Sequence, residues 1–289
     1  MKIAIITDSN SGITQEEAKN LGIFLLPMPF LIDGEEYFED VNLTQQQFYE
    51  KLMQDASVST SQPSIFAVTE MWQECLKNYD QIIHIPMSSA LSSGCETAIT
   101  LSKDFDNKVF VVNNRRISIS LKQAIYDAIS LVKQGYNAEE VKKYLENTSL
   151  DASIYIMVST LKYLKKGGRI TPAVAAIGSL LNIKPVLSIQ GGKLDKFCNV
   201  MAVNLGKKKM ISAIINDIET RFSEALKKGK LKIGMAYSNC KDKCLEFKKE
   251  ADLALKPYNL EVEFVDPLSL SVACHIGDGA LAIGCYISA

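Results

Sequence analysis

Short apolar runs bounded by polar turns dominate the first half of the chain, and most are followed by a segment of helical spacing. Ile3-Ala4-Ile5-Ile6-Thr7 has the continuous apolar character of a strand buried on both faces. It ends in the polar turn Asp8-Ser9-Asn10-Ser11-Gly12, after which Thr14-Gln15-Glu16-Glu17 has capping-box spacing for a short helix. Residues 23–32 are apolar again but carry Pro27 and Pro29, which predicts an edge strand or extended loop. Asp33-Gly34 supplies a hairpin-type turn, and Thr44 caps the next helix. Residues 81–85 and 108–112 are two further buried strands. Helices are predicted over 65–79, 91–101, 117–132 and 138–147, the last capped by Asn137. Strand alternating with helix predicts a doubly wound parallel sheet.

The rhythm changes in the second half. A strand over 154–159 and a helix precede the basic turn Lys165-Lys166-Gly167-Gly168-Arg169-Ile170. Thr171-Pro172 starts another helix, with proline at the first helical position. That helix is rich in small and apolar residues (Ala173, Val174, Ala175, Ala176, Ile177, Gly178, Leu180, Leu181), a composition suited either to lining a narrow tunnel or to plain core. Residues 184–190 and 193–201 flank Gly191-Gly192 as a hairpin, one long helix is predicted over 205–228, and strands over 231–237, 261–265 and 281–287. Hairpins mixed with helices predict an α+β unit with a mainly antiparallel sheet. The expected fold class is α/β in two domains, a Rossmann-like unit over 1–150 and an α+β unit over 151–289. No internal repeat or low-complexity tract interrupts them.

Composition narrows the function classes. The chain has 289 residues, is 47% hydrophobic and 22% charged, and carries a net charge of -1, so no basic footprint points to nucleic acid. Two histidines make a histidine-based metal site improbable, and seven scattered cysteines fit reduced thiols of a cytoplasmic protein better than a disulfide framework. Cys240 and Cys244 lie one helical turn apart, but no second ligand pair accompanies them. Met1-Lys2 leads directly into a short strand without the apolar core of a signal peptide, and no apolar stretch approaches the ~20 residues that span a bilayer. No stable membrane insertion is expected, and a lipid ligand would be handled by a soluble carrier.

The chemistry concentrates in two hydroxyl clusters, Thr60-Ser61-Gln62-Pro63-Ser64 and Ser88-Ser89-Ala90-Leu91-Ser92-Ser93-Gly94. Each stands where the chain turns into a helix, so hydroxyls, free N–H groups and the helix dipole combine to suit an anion. Ser64 alone is most simply an N-cap, whereas Thr60 and Ser61 are not needed for capping. The second cluster lacks the glycine spacing and lysine of a phosphate-binding loop and the Gly-x-Ser-x-Gly elbow of serine hydrolases. Asp8 to Ser11 sit at the carboxyl end of the first strand, where open α/β sheets place ligands, though an ordinary polar turn has the same composition. His84 alternates within an apolar strand and reads as core. His275 lies in Cys274-His275-Ile276-Gly277-Asp278-Gly279, read as a glycine-bearing turn, and matters if it faces the hydroxyl clusters. Arg169, after two glycines, reads as an exposed turn residue able to hold a phosphate or a carboxylate.

In their order and spacing these segments resemble the DegV family, whose characterised members are fatty-acid-binding proteins. The resemblance runs nearly end to end. It rests on Thr7-Asp8-Ser9, Thr60-Ser61-Gln62-Pro63-Ser64, Ser88-Ser89-Ala90-Leu91-Ser92, Lys165-Lys166-Gly167-Gly168-Arg169-Ile170, Leu181-Asn182-Ile183-Lys184-Pro185-Val186-Leu187, and His275 with Ile276-Gly277-Asp278-Gly279-Ala280-Leu281. It implies one long-chain fatty acid held between two domains, in a protein that serves as the acyl-carrying subunit of a bacterial fatty acid kinase. The kinase partner makes an acyl-phosphate for phospholipid synthesis; the carrier itself needs no cofactor or metal. Carried over, Thr60, Ser61, Ser92 and His275 surround the carboxylate, and Arg169 lies near the mouth and presents the head group to the partner. The chain departs from the family pattern at Ser93-Gly94-Cys95, at Asp278 where a proline is usual, and at Asn113-Asn114-Arg115-Arg116. Two alternatives stand beside the carrier: a serine-dependent acyl hydrolase or transferase using Ser92 with His275, and a sugar- or phosphate-binding module.

Overall fold

The computed structural model describes residues 1–176 and 183–289. The first half runs β1 (Ile3–Asp8), α1 (Gln15–Leu21), β2 (Phe24–Leu26), β3 (Pro29–Ile32), β4 (Glu35–Phe38), α2 (Gln45–Met53), β5 (Val58–Thr60), α3 (Ile65–Leu76), β6 (Gln81–Ile85), α4 (Gly94–Ser102), β7 (Val109–Val111), α5 (Ser118–Lys133) and α6 (Ala138–Asn147). The second runs β8 (Ala152–Met157), α7 (Lys162–Gly167), α8 (Pro172–Ala175), β9 (Lys184–Ile189), β10 (Asp195–Val200), α9 (Val203–Glu219), α10 (Ser223–Lys227), β11 (Leu231–Tyr237), α11 (Lys241–Leu255), β12 (Val262–Pro267), α12 (Leu270–Ile276) and β13 (Leu281–Ile287). The predicted caps form: Thr14, Thr44 and Asn137 each accept from the backbone N–H three residues on, the latter two within full capping boxes.

The first half holds a parallel sheet of order β2-β1-β6-β7. Its apolar runs are buried on both faces. Ile5, Ile83 and Ile85 pack with α1, α5 and α6, whereas Ala4, Ile6 and Ile82 pack with Val68 and Trp72 of α3 and Ala98 of α4. The second half holds a six-stranded sheet of order β10-β9-β8-β13-β11-β12, antiparallel except for β11 with β12. One face, with Ile233, Met235, Leu281 and Ile283, is covered by α9 and α11. The other, with Ile154, Ile156, Ala236 and Ala282, shares a core with α5, which packs against both β1 and β13. The chain is thus a two-domain α/β protein whose largest core crosses between its halves.

Four expectations are corrected. The helix expected over 205–228 is broken between α9 and α10, where Phe222 turns into the core and its N–H returns to the Asp217 carbonyl. The α4 helix begins at Gly94 rather than Leu91, because Ser88 to Ser93 form a turn with Leu91 and Ser92 donating back to the Ser88 carbonyl. The proline-bearing stretch supplies the edge strand β2 as expected. It also supplies β3, the middle of a three-stranded antiparallel sheet β4-β3-β5, which tolerates Pro29 as its first residue. His275 lies not in a turn but in the last turn of α12, which Gly277 ends at φ 79°. Of the expected small-residue helix, Val174 is core, Ala173, Ala175 and Ala176 are exposed, and Ile177, Gly178, Leu180 and Leu181 fall outside the described residues.

Polar ties also join the halves. Lys122 of α5 is almost wholly buried between Glu17 of α1 and Asp266 of β12, with Nζ 3.0 Å and 2.9 Å from their carboxylates. Removing one partner of a buried charge network costs about 3–5 kcal/mol when the stranded charges are fully dry. Glu17 and Asp266 keep 28% and 20% side-chain exposure, which discounts that cost. Lys122→Met is expected to lower unfolding stability by about 2 kcal/mol, read as a lower denaturation midpoint in urea; an unchanged midpoint would show that the triad does not hold the halves together.

Candidate functional site

In the parallel sheet the chain leaves β1 for β2 on one side and β6 for β7 on the other, so β1 and β6 flank the topological switch point. The segments beyond their carboxyl ends meet there. Asp8 is fully buried; its carboxylate accepts from Asn10 N–H at 3.0 Å and Met87 N–H at 2.8 Å, tying the β1 turn to the loop after β6. Burial pushes its pKa up to about 6 against those two bonds. Asp8 therefore builds the switch point and does not line the cavity. Asn10 does line it, and its side-chain oxygen accepts from Ser269, at 2.9 Å, and Ser271.

From this point a cavity of about 260 Å³ runs between the two sheets. Its interior is apolar, walled by Ile119, Ile154, Ile156, Ala236 and Ala282 among others. Its polar lining includes a group tied together by hydrogen bonds, Thr60 with His275 and Gln62 with Ser93, beside Ser61, Ser92 and Arg169; Asn10, Ser118 and Ser271 also line it. Gln62 joins the two hydroxyl clusters, since its Oε1 accepts from Ser93 at 2.9 Å and Thr97 at 3.1 Å. Ser64 caps α3 by accepting from Ala67 N–H at 3.1 Å, leaving Thr60 and Ser61 for the cavity. Thr60 ends β5, and its hydroxyl shares a 2.8 Å hydrogen bond with His275 Nε2. The other edge of the ring lies where a side chain on Gly167 would stand, so only glycine fits there. Burial, and secondarily the Arg169 charge, push the His275 pKa down to about 4, so the ring is neutral at pH 7.

Thr60, Ser61, Ser92, His275 and Arg169 thus line one cavity, though they come from β5, the loop after β6, α12 and the turn after α7. Arg169 departs from the expected exposed turn residue. It is half-buried, and its guanidinium donates to the Leu91 carbonyl at 3.2 Å and to the Gly167 carbonyl. Its backbone turn leaves room for that inward path because Gly168 takes φ 69°. Ser92 Oγ accepts from Gly94 N–H at 3.2 Å, while His275 is engaged by Thr60. A nucleophile–base pair would need Ser92 and His275 to meet, and a ring held beside a cation is a weak base. His84 is fully buried against Trp72 in an edge-to-face contact and lies apart from this cavity. Cys244 is core, and Cys240 donates to the Ala280 carbonyl; among the described residues no acidic, cysteine or histidine cluster is arranged for a metal ion.

A family model described as "Uncharacterised protein, DegV family" matches residues 2–288. The chain belongs to the DegV family. A DegV domain-containing protein of Staphylococcus aureus strain N315 is 30% identical over 285 residues, covering 98% of each chain. A fatty-acid-binding DegV family protein from Thermus thermophilus superposes with a TM-score of 0.87 at 26% identity, over 99% of this chain and 100% of that one. The fatty acid binding protein DegV of Bacillus subtilis gives 0.84 at 27% identity, over 100% of both chains. A stearic-acid-binding protein of Eubacterium ventriosum shares the fold with a TM-score of 0.88 at 20% identity, over 99% and 98%.

Several contributors escaped the sequence reading. Ser271 was missed with its helix, whereas Asn10 and Gln62 lay within the segments singled out but had no role of their own assigned. Helix α12 was hidden by its length, and α11 was overlooked although Cys244, Phe247, Ala251 and Leu255 recur at helical spacing. The depressed His275 pKa has a measurable consequence. The unfolded ring takes up a proton near pH 6.5, while the folded ring resists until about 4. The group therefore leaves stability unaffected above 6.5 and lowers it as pH falls from 6.5 towards 4. Melting temperatures of wild type and His275→Gln are expected to converge as pH falls through that window, the wild type losing more; parallel curves would contradict a buried neutral ring.

Proposed function

We propose that this DegV protein binds one long-chain fatty acid, with its tail in the cavity between the halves and its carboxylate at Thr60, Ser61, Ser92 and His275. The observation that carries the reading is one cavity that combines the Thr60, Ser61, Ser92, Arg169 and His275 group with a wall of isoleucine, leucine and alanine side chains. Hydroxyl donors and the Arg169 guanidinium favour an anion, whereas most of the remaining lining is apolar. At about 0.8 kcal/mol per buried CH₂, a tail of ~16–18 carbons supplies most of the affinity and the polar end fixes orientation. A sugar or free phosphate would leave the Ile-lined interior unused. We place the domain boundary near residue 150, between α6 and β8, with the ligand held between the domains.

Ser61 and Ser93 are exposed as well as cavity-lining, so a carboxylate bound here is presented at the surface. We assign the protein the role of an acyl carrier that offers this carboxylate to a separate ATP-dependent fatty acid kinase. Catalysis then belongs to the partner, and no cofactor or metal is needed on the carrier. Arg169, anchored on Leu91, is the group we assign to meet the acyl-phosphate or the partner. A cytoplasmic setting is consistent with seven unpaired cysteines and, among the described residues, with no helix long and apolar enough to cross a membrane.

The test compares palmitate binding to the delipidated protein with acyl-phosphate formation when ATP and a bacterial fatty acid kinase are added. Ser92→Ala removes one charge-assisted hydrogen bond, about 1.5–3 kcal/mol at most, and leaves the tail contribution untouched. Acyl-phosphate formation is expected to fall more than palmitate retention. Absence of palmitate binding to the wild type would sink the carrier reading, and equal losses in both assays would show that the head group governs affinity.

A further inference from the structure

We infer that Ala236 and Ala282, which face each other across β11 and β13, set how far an acyl chain can enter the cavity and so which chain lengths the protein holds. The inference rests on the fatty-acid reading of the same cavity. The two alanines are register partners on adjacent antiparallel strands, and both line the cavity. The row continues across the sheet to Ile156, the partner of Ala282 on β8, which also lines the cavity. Depth over the sheet is thus greatest above β11 and β13, where the side chains are smallest.

Smallness here belongs to the face and not to the strands. Side chains alternate across a sheet, and the opposite face of the same strands carries Ile233, Met235, Leu281 and Ile283, all packed beneath α9 and α11. On the cavity face the next positions are Gly234 and Gly284, and there the protein fills the space itself. A Cβ on Gly234 would stand 2.5 Å from the Tyr286 hydroxyl and 2.9 Å from Phe264; one on Gly284 would stand 2.8 Å from Ile119 Cδ1 and 2.9 Å from the Ser153 carbonyl. Tyr286, Phe264 and Ile119 therefore form a wall beyond the alanines, while the alanines themselves face the cavity. A side chain grown at either alanine projects into the path of the acyl chain.

The experiment loads delipidated wild type, Ala282→Val and Ala236→Val with a series of fatty acids from decanoate to stearate, measured by displacement of a fluorescent fatty acid. Each methylene that can no longer be buried is worth roughly fourfold in affinity. With about two methylenes excluded, stearate binding is expected to weaken about fifteenfold while decanoate binding holds, shifting the preferred length downward. Ala282→Ser, larger by a single atom, keeps the test open if a valine variant fails to fold; its hydroxyl faces the alkyl path and should also penalise the longer acids. An unchanged length profile in the folded variants, or an equal loss at every length, would overturn the inference. Failure of the wild type to bind any acid in the series would instead overturn the fatty-acid reading beneath it.

Discussion

The hydrogen bond between Thr60 and His275 joins residues 215 positions apart and brings the two halves of the chain to one polar point. Most of the site depends on it. Thr60 is fixed by β5 in the small antiparallel sheet, and His275 by α12, which packs on Phe30 and Phe48 of that sheet and its covering helix. The ring can reach Thr60 only because Gly167 yields its side-chain space, and Gly168, next in sequence, turns Arg169 inward. One contact thus requires a strand end, a helix end and a glycine pair to agree in position. The carboxylate of Glu39 supports the arrangement from behind, accepting from Leu270 N–H at 2.8 Å at the start of α12. Burial raises the Glu39 pKa to about 7 against that bond.

The same economy shapes the apolar part. A six-stranded sheet ordinarily fills both faces with branched side chains, as it does beneath α9 and α11. Towards the parallel sheet it substitutes glycine and alanine on β11 and β13, and α5 closes over the space from the other side. The cavity is therefore a local shortfall of side-chain volume, which costs stability unless a ligand fills it. The buried charge ties of Lys122 with Glu17 and Asp266 join α5 to α1 and β12 outside the cavity lining.

Much of this was legible in the sequence because it is local. Continuous apolar runs gave β1 and β6, Thr44 and Asn137 marked helix starts through capping boxes, and Asp33-Gly34, both at positive φ, joined β3 to β4 as a hairpin. The hydroxyl clusters stood out because Thr60 and Ser61 exceed what capping needs, and both line the cavity. What stayed hidden was set by tertiary contact. Three-residue β5 has no periodicity to read, and α12 has only seven residues. Arg169 looked exposed because the acceptor that turns it inward, the Leu91 carbonyl, lies 78 positions away. The break after α9 depends on Phe222 finding the core, which no local preference dictates.

A fatty acid bound as proposed has its carboxylate beside Thr60 and His275. A crystal structure of the protein grown with palmitate tests it most directly. The expected result is a carboxylate within hydrogen-bonding distance of Thr60, Ser61, Ser92 and His275, and an alkyl chain running inward over Ala236 and Ala282. Density for the acid elsewhere on the surface, or a chain lying in the cavity with its carboxylate pointed towards Ile119, would contradict it.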